Sequence, residues 1–148
     1  MLIIGCGNRD RGDDAAGILA AERLQAKGVS TQLCSGECSE LMQAWGHATE
    51  ILTIDCVVTG ALPGTVHVWD AHEPFPATIR SGSSHGFGVG EAVELSKALR
   101  CLPVRLLIYG IEGRNFDVGT SMSPEVVCGV EEVVERVLCE LTHMRQMD

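Results

Sequence analysis

Several polar residues of this 148-residue chain stand where apolar runs end. Asn8, Asp10, Asp13 and Asp14 follow Leu2-Ile3-Ile4 and the turn Gly5-Cys6-Gly7; Asp55 ends Ile51-Leu52-Thr53-Ile54; Glu112 closes Gly110-Ile111-Glu112. A Ser- and Gly-rich stretch supplies His85, within Ser83-Ser84-His85-Gly86. In open α/β sheets, ligands bind beyond the carboxyl ends of the strands, so these side chains are the candidates for chemistry. Two carboxylates and an imidazole suit a divalent transition metal with open positions. They suit a general acid/base set equally well. Each residue also has a plainer role available. Asp14 can serve a helix N-terminus, Asp55 can bond its own backbone in a turn, and a lone loop histidine is ordinarily solvated. His47, His67, His72 and His143 have no comparable setting and read as structural.

Other chemistries are set aside by spacing. Gly5-Cys6-Gly7-Asn8-Arg9-Asp10 begins like a dinucleotide fingerprint, but Asp10 replaces the third glycine, and Asp13 and Asp14 would repel a diphosphate. No G-K-[ST] occurs, so there is no P-loop. The seven cysteines, Cys6, Cys34, Cys38, Cys56, Cys101, Cys128 and Cys139, contain no C-x-x-C. They read as reduced thiols used as small hydrophobes, with Cys34-x3-Cys38 the one pair that suggests metal or redox work.

The elements that must position these residues alternate in type. Leu2–Ile4 reads as a buried strand ending in a glycine turn. The acidic pair then opens a helix over Ala15, Ala16, Ile18, Leu19, Ala20 and Leu24, which Gly28 ends. Val29–Cys34 alternates weakly as a second strand. Ser39–Trp45 reads as a short helix with Ser39 as a possible cap. Ile51–Asp55 is the clearest central strand, and Val104–Ile111 is another. Thr65–Asp70 alternates with period two, which suits a one-sided strand near an edge, its orientation open to antiparallel. The stretch from His72 to His85 reads as a loop of functional length. Ala92, Val93, Leu95, Ser96 and Leu99 suit a helix packed on the sheet. The last helix carries a wide apolar stripe, Val126, Val127, Val130, Val133, Val134, Val137, Leu138 and Leu141, and opens at Ser123-Pro124-Glu125. Alternating elements with apolar central strands predict an α/β layered domain with a mainly parallel sheet.

Composition bounds the partners. Hydrophobic residues make up 45% and charged residues 21%, ordinary values for a globular chain. The length and the absence of repeats or linkers predict one domain over residues 1–148. Eleven Lys+Arg against 20 Asp+Glu give a net charge of −9, which argues against nucleic acid and against an anionic membrane surface. No run approaches the roughly 18–20 apolar residues of a membrane helix, and Met-Leu-Ile-Ile-Gly lacks a signal-peptide n-region. A cytoplasmic protein is expected.

Taken together, Gly5-Cys6-Gly7-Asn8, Gly12-Asp13-Asp14-Ala15-Ala16-Gly17, Ile54-Asp55, Pro63-Gly64, Ser84-His85-Gly86, Gly110-Ile111-Glu112 and Ser123-Pro124-Glu125-Val126 resemble the hydrogenase maturation endopeptidases. They occur in that family's order and span residues 2 to about 140. The resemblance implies a three-layer α/β/α sandwich. It implies an endopeptidase that trims a C-terminal peptide from the precursor of a nickel–iron hydrogenase large subunit. It implies that Asp14, Asp55 and His85 face the nickel, which the substrate carries, and that cleavage waits for that nickel. The expected cofactor set is therefore substrate nickel with no organic cofactor. The expected partner is the large-subunit precursor, met by a monomer. Nickel ligation and water activation by Asp14 or Asp55 both remain open, as aspartyl-type or metal-dependent chemistry. A non-catalytic nickel checkpoint or chaperone, and a metal-dependent small-molecule hydrolase, are the alternatives. Arg9-Asp10-Arg11, Ala15 and Ser84 depart from the family pattern without removing a proposed contact residue.

Overall fold

A computed structural model describes residues 1–74, 80–81 and 88–147. Its strands are β1 (Leu2–Cys6), β2 (Thr31–Cys34), β3 (Glu50–Val58), β4 (Val66–Asp70), β5 (Arg80–Ser81) and β6 (Arg105–Glu112). Its α-helices are α1 (Ala16–Ala26), α2 (Cys38–Trp45), α3 (Val89–Ala98) and α4 (Pro124–Met147), and a 3-10 turn over Gly12–Ala15 leads into α1. The sheet runs β2-β1-β3-β6-β4. β1, β2, β3 and β6 are parallel, while β4 pairs antiparallel with β6 at the edge. β5 adds a short antiparallel pairing to Val57 and Val58, beyond the end of β1.

The alternation of side chains along β3 divides the core. Leu52, Ile54 and Cys56 join α1 and α4 on one face, through Ala16, Ala20, Leu24, Val126, Val130, Val133 and Val137. Ile51 joins α2 and α3 on the other, with Leu41, Trp45, Val89, Ala92 and Val93. Two helical layers around a mainly parallel sheet make the α/β/α sandwich, with the antiparallel strand at its edge. Asp55 keeps the parity of Ile51 and Thr53, so it faces the α2–α3 side. On that side the indole of Trp45 donates to Thr53 Oγ1 at 3.0 Å and ties α2 to β3.

Some element ends differ from the sequence reading. Gly5 and Cys6 belong to β1 rather than to a turn. The reason is packing: a Cβ on Gly5 would stand 2.4 Å from the Gly17 carbonyl oxygen, so the strand continues under α1 only because this residue is small. α2 begins at Cys38 with Glu37 at its N-cap. Ser39 is not the cap; its hydroxyl donates to Glu37 Oε1 at 2.7 Å. The hydroxyl of Ser123 likewise does not cap α4 but donates to Asp13. Cys101, Cys128 and Cys139 are exposed, so only Cys6, Cys34 and Cys56 serve as buried hydrophobes. Among the described residues no helix is long and apolar enough to cross a membrane.

Candidate functional site

Two adjacent aspartates of like sequence setting do opposite things. Asp13 turns inward and is fully buried. Its Oδ2 accepts from the amides of Arg114 (2.8 Å) and Asn115 (2.9 Å) and from the Ser123 hydroxyl (2.9 Å), and its Oδ1 accepts from the Ser123 amide at 2.6 Å. Burial pushes its carboxyl up, but these donors outweigh that and leave it below the ordinary carboxylate range. Asp13 is thus a fastener that ties the 3-10 turn to the segment before α4. Asp14 is also buried; among the described residues its carboxylate accepts from the Asn8 amide, 3.1 Å from Oδ2. Burial raises its carboxyl, against the opposing pull of the Asn8 amide and the Arg11 charge.

Glycine holds Asp14 in place. Gly7 has φ +143°, and a Cβ there would lie 1.9 Å from the Asp14 carbonyl oxygen. This close approach lets the Asn8 amide reach both the carbonyl (3.3 Å) and the carboxylate of Asp14. Gly17 does the same one turn later, where a Cβ would meet the carbonyl oxygens of Cys6 (2.3 Å) and Ile54 (2.4 Å). The turn and α1 are thereby pressed onto the ends of β1 and β3.

Asp55 sits on the neighbouring strand end with 1% of its surface exposed. Its Oδ1 accepts from the Cys56 amide at 2.8 Å, the local bond expected of a strand-end aspartate. Its Oδ2 is buried and has no hydrogen-bond partner among the described residues. Burial drives this carboxyl well above its ordinary value, and the charge of Asp14 pushes it further. Gly36, with φ +88°, leaves room beside that oxygen: a Cβ there would stand 3.9 Å from Asp55 Oδ2 and 3.6 Å from Cys6 Cβ. A cleft of about 740 Å³ opens beside Asp14, lined among others by Asn8, Arg9, Arg11, Glu37, Met42 and Leu95. Arg9 is paired with Glu22 of α1, and Arg11 Nε donates to the Phe116 carbonyl at 3.2 Å.

His85, the imidazole of the expected trio, lies outside the described residues. The described chain on either side of it is placed: Ser81 pairs with Val57, two residues past Asp55, and α3 begins at Val89. Among the described residues no group of three His, Cys, Asp or Glu side chains is arranged to hold a metal ion. The described site is therefore an acidic pair with one open oxygen.

The remaining edge residues have structural work. Asp10 is exposed, and its carbonyl accepts from the Gly119 amide at 2.7 Å. Glu112 is buried and holds the chain after β3: it accepts from the Thr59 amide (2.8 Å), from the Thr59 hydroxyl (2.5 Å) and from His67 Nε2 (3.1 Å). His67, read as structural from its alternating strand, also stacks on Trp69 with ring centroids 4.9 Å apart.

Cys34, singled out in the sequence with Cys38, has Cys6 as its register partner instead, while Cys38 Sγ lies against Met42 Sδ at 4.0 Å; Cys6 and Cys34 both lie near Asp55. Each thiol acts on the other, an influence that raises Cys6, which burial raises further, and lowers Cys34. The available signal for Cys6 was its place after the apolar run Leu2-Ile3-Ile4; Cys34 ends only a weakly alternating stretch.

The family model for hydrogenase maturation protease (HycI) matches residues 36–140. The chain is 28% identical over 145 residues to the hydrogenase expression/formation protein HupD of Thiocapsa roseopersicina, across 93% of this chain and 66% of that protein, so it spans just under two thirds of that relative's length. Its fold is similar to the [NiFe] hydrogenase maturation protease HybD from Thermococcus kodakarensis, with TM-score 0.72 and 28% identity over 92% of this chain and 95% of that one. It is similar also to the hydrogenase maturating endopeptidase HybD from E. coli, with TM-score 0.74 and 24% identity over 97% and 92% of the two chains, a likeness of fold.

Proposed function

The chain belongs to the hydrogenase maturation protease family, and from that premise we propose that it is an endopeptidase removing a C-terminal peptide from the precursor of a nickel–iron hydrogenase large subunit once nickel is in place. The observation that carries this reading is Asp55 Oδ2, a buried carboxylate oxygen without a donor among the described residues, beside a second buried carboxylate. An unpartnered buried acceptor costs roughly 1–3 kcal/mol, and two neighbouring carboxylates resist ionising together. A cation relieves both penalties at once. In this proposal the cation is the nickel held by the substrate, and Asp14, Asp55 and His85 contact it.

An acidic pair with a histidine is too sparse to take nickel from a thiolate-rich site, which suits a group that inspects a metal rather than storing one. Asp14, opened toward the cleft, is placed to orient or deprotonate a water at the scissile amide. The cleft receives the chain to be cut. Glu112 and Asp13 stay outside the reaction and hold the edges of the site.

The test is incubation with nickel-loaded precursor, followed by intact-mass measurement of the large subunit. Loss of a C-terminal peptide with wild type, absent with Asp14→Asn and Asp55→Asn, is the expected result. Nickel-dependent complex formation with an unchanged precursor mass would establish a checkpoint module instead. A tight stoichiometric divalent site in the isolated protein would point to a small-molecule hydrolase.

A further inference from the structure

Cys34, Cys6 and Asp55 form a row across three neighbouring strands. Cys34 of β2 is the register partner of Cys6 of β1. Gly5 pairs with Ile54, which puts Cys6 next to Asp55 one residue further along. Register partners on adjacent parallel strands project to the same face, about 4.8 Å apart along the hydrogen-bonding direction. That spacing lies inside the roughly 4.4–6.8 Å Cα window of disulfides. Both cysteines belong to the same buried cluster, on the α2–α3 side of the sheet. Each thiol lies near enough to shift the ionisation of the other. All seven cysteines are free in this structure.

The pair is buried at the rim of the site. Cys6 is fully covered and Cys34 is 4% exposed. The next residue after Cys34, Ser35, lines the cleft beside Asp14. Gly36 then passes over Cys6 and Asp55 without a side chain to shield them. A small oxidant in the cleft is thus separated from the dithiol by little more than backbone.

We propose that Cys6 and Cys34 are a reversible disulfide site, oxidised by low-molecular-weight disulfides, and that the bond disarms the adjoining Asp55. Cys34, the less covered thiol, attacks one sulfur of the small disulfide and expels its other half as a thiol. Cys6 then attacks the Cys34 sulfur of the mixed disulfide and expels the second half. Two protein thiols are oxidised by two electrons, their two protons leave with the two released small thiols, and one small disulfide is reduced. The new bond draws Cys6 toward β2 and reshapes the wall that Asp55 Oδ2 faces. The effect on Asp55 rests on the function proposed above, whereas formation of the bond does not.

The experiment uses the full chain with Cys101, Cys128 and Cys139, all exposed, replaced by serine, and oxidised glutathione as the probe. The expected product has lost two hydrogens, yields a cross-linked pair of peptides containing Cys6 and Cys34, melts at higher temperature, and returns to the dithiol with dithiothreitol. It processes nickel-loaded precursor about tenfold more slowly or worse until reduced, since small displacements of reacting groups cost that much. Cys34→Ser in the same background forms no cross-link. Persisting free thiols, stable glutathione adducts, or a cross-link through Cys38 would overturn the site. A Cys6–Cys34 bond that leaves processing unchanged would overturn the coupling to Asp55. If the reduced protein fails to process precursor at all, the function proposed above fails, and the peptide map still decides the disulfide.

Discussion

The carboxyl of Asp55 is held well above its ordinary value, because burial and the Asp14 charge both oppose ionisation. Its folded value lies above the unfolded one of about 3.9. Between those two values the native state binds more protons than the unfolded state, so stability falls as pH rises through that window and stays lower above it. Asp55→Asn removes the charge. The variant is expected to melt higher than wild type at pH 7, on the order of 3 °C for ~1 kcal/mol, with the advantage vanishing below about pH 4. The same variant should leave precursor uncut. Calorimetric melting at the two pH values, with a processing assay at neutral pH, checks both halves, and a variant melting lower at pH 7 would contradict the proposed cost. Asp13 has the opposite sign. Its lowered carboxyl contributes stability that is present above the unfolded value and is lost as pH falls through the folded one. Asp13→Asn turns an amide toward donors that now meet a carboxylate, and should cost about 3 kcal/mol or more, measured by urea unfolding at pH 7. Spacing placed Asp13 and Asp14 as an acidic pair at a helix start without separating them, and only the family resemblance singled out Asp14. That division is made by Arg114, Asn115 and Ser123, more than 100 residues away in sequence, whose backbone donors come to only one of the two.

At the scale of elements, the site depends on how closely the 3-10 turn and α1 approach the ends of β1 and β3. The strand–turn–helix order, the central strand carrying Asp55 and the long apolar stripe of α4 were legible because their periods are strong. The register that aligns Cys34, Cys6 and Asp55 was not, since strand pairing is set by the whole sheet rather than by any one segment. The extent of β1 was missed for a related reason: Gly5 looks like a turn signal until Gly17 and Ala21 are packed on it. Gly7 is the sharpest test of this arrangement. Gly7→Ala combines a left-handed-side φ of +143° with a Cβ 1.9 Å from the Asp14 carbonyl oxygen. The turn must move, so a loss of stability exceeding the roughly 1–3 kcal/mol of backbone strain alone is expected, together with loss of precursor processing. Gly28→Ala is the control. Its φ is +85° with nothing within 4 Å of the new Cβ, so it should show a strain cost with processing intact. Equal effects of the two variants on processing would remove the turn from the argument for Asp14.

At the scale of the whole molecule, the two helical layers leave one sheet edge to gather buried acids from three places: Asp14 after β1, Asp55 on β3 and Glu112 on β6. The carboxylate of Glu112 is hydrogen bonded locally by His67 and Thr59. Asp14 has the Asn8 amide and the Arg11 charge beside it, whereas burial and the Asp14 charge both act against ionisation of Asp55. In the function proposed above, the compensating charge comes with the partner. This leads to an expectation about where the metal resides. The isolated protein, dialysed and titrated with nickel by calorimetry, should bind it weakly and without fixed stoichiometry, since the acidic pair with His85 forms an incomplete shell. Nickel-loaded precursor should be processed even after the protease has been treated with a chelator and desalted, while nickel-free precursor stays full length in the presence of untreated protease. If chelation of the protease alone abolishes processing, and nickel returned to the protease restores it, the metal belongs to this chain and the division of labour proposed between protease and substrate is wrong. If instead the metal state of the precursor alone decides the outcome, the open oxygen of Asp55 acts as a reader of its partner's metal. Its cost to folding is then the consequence of keeping a buried carboxylate unpaired until that metal arrives.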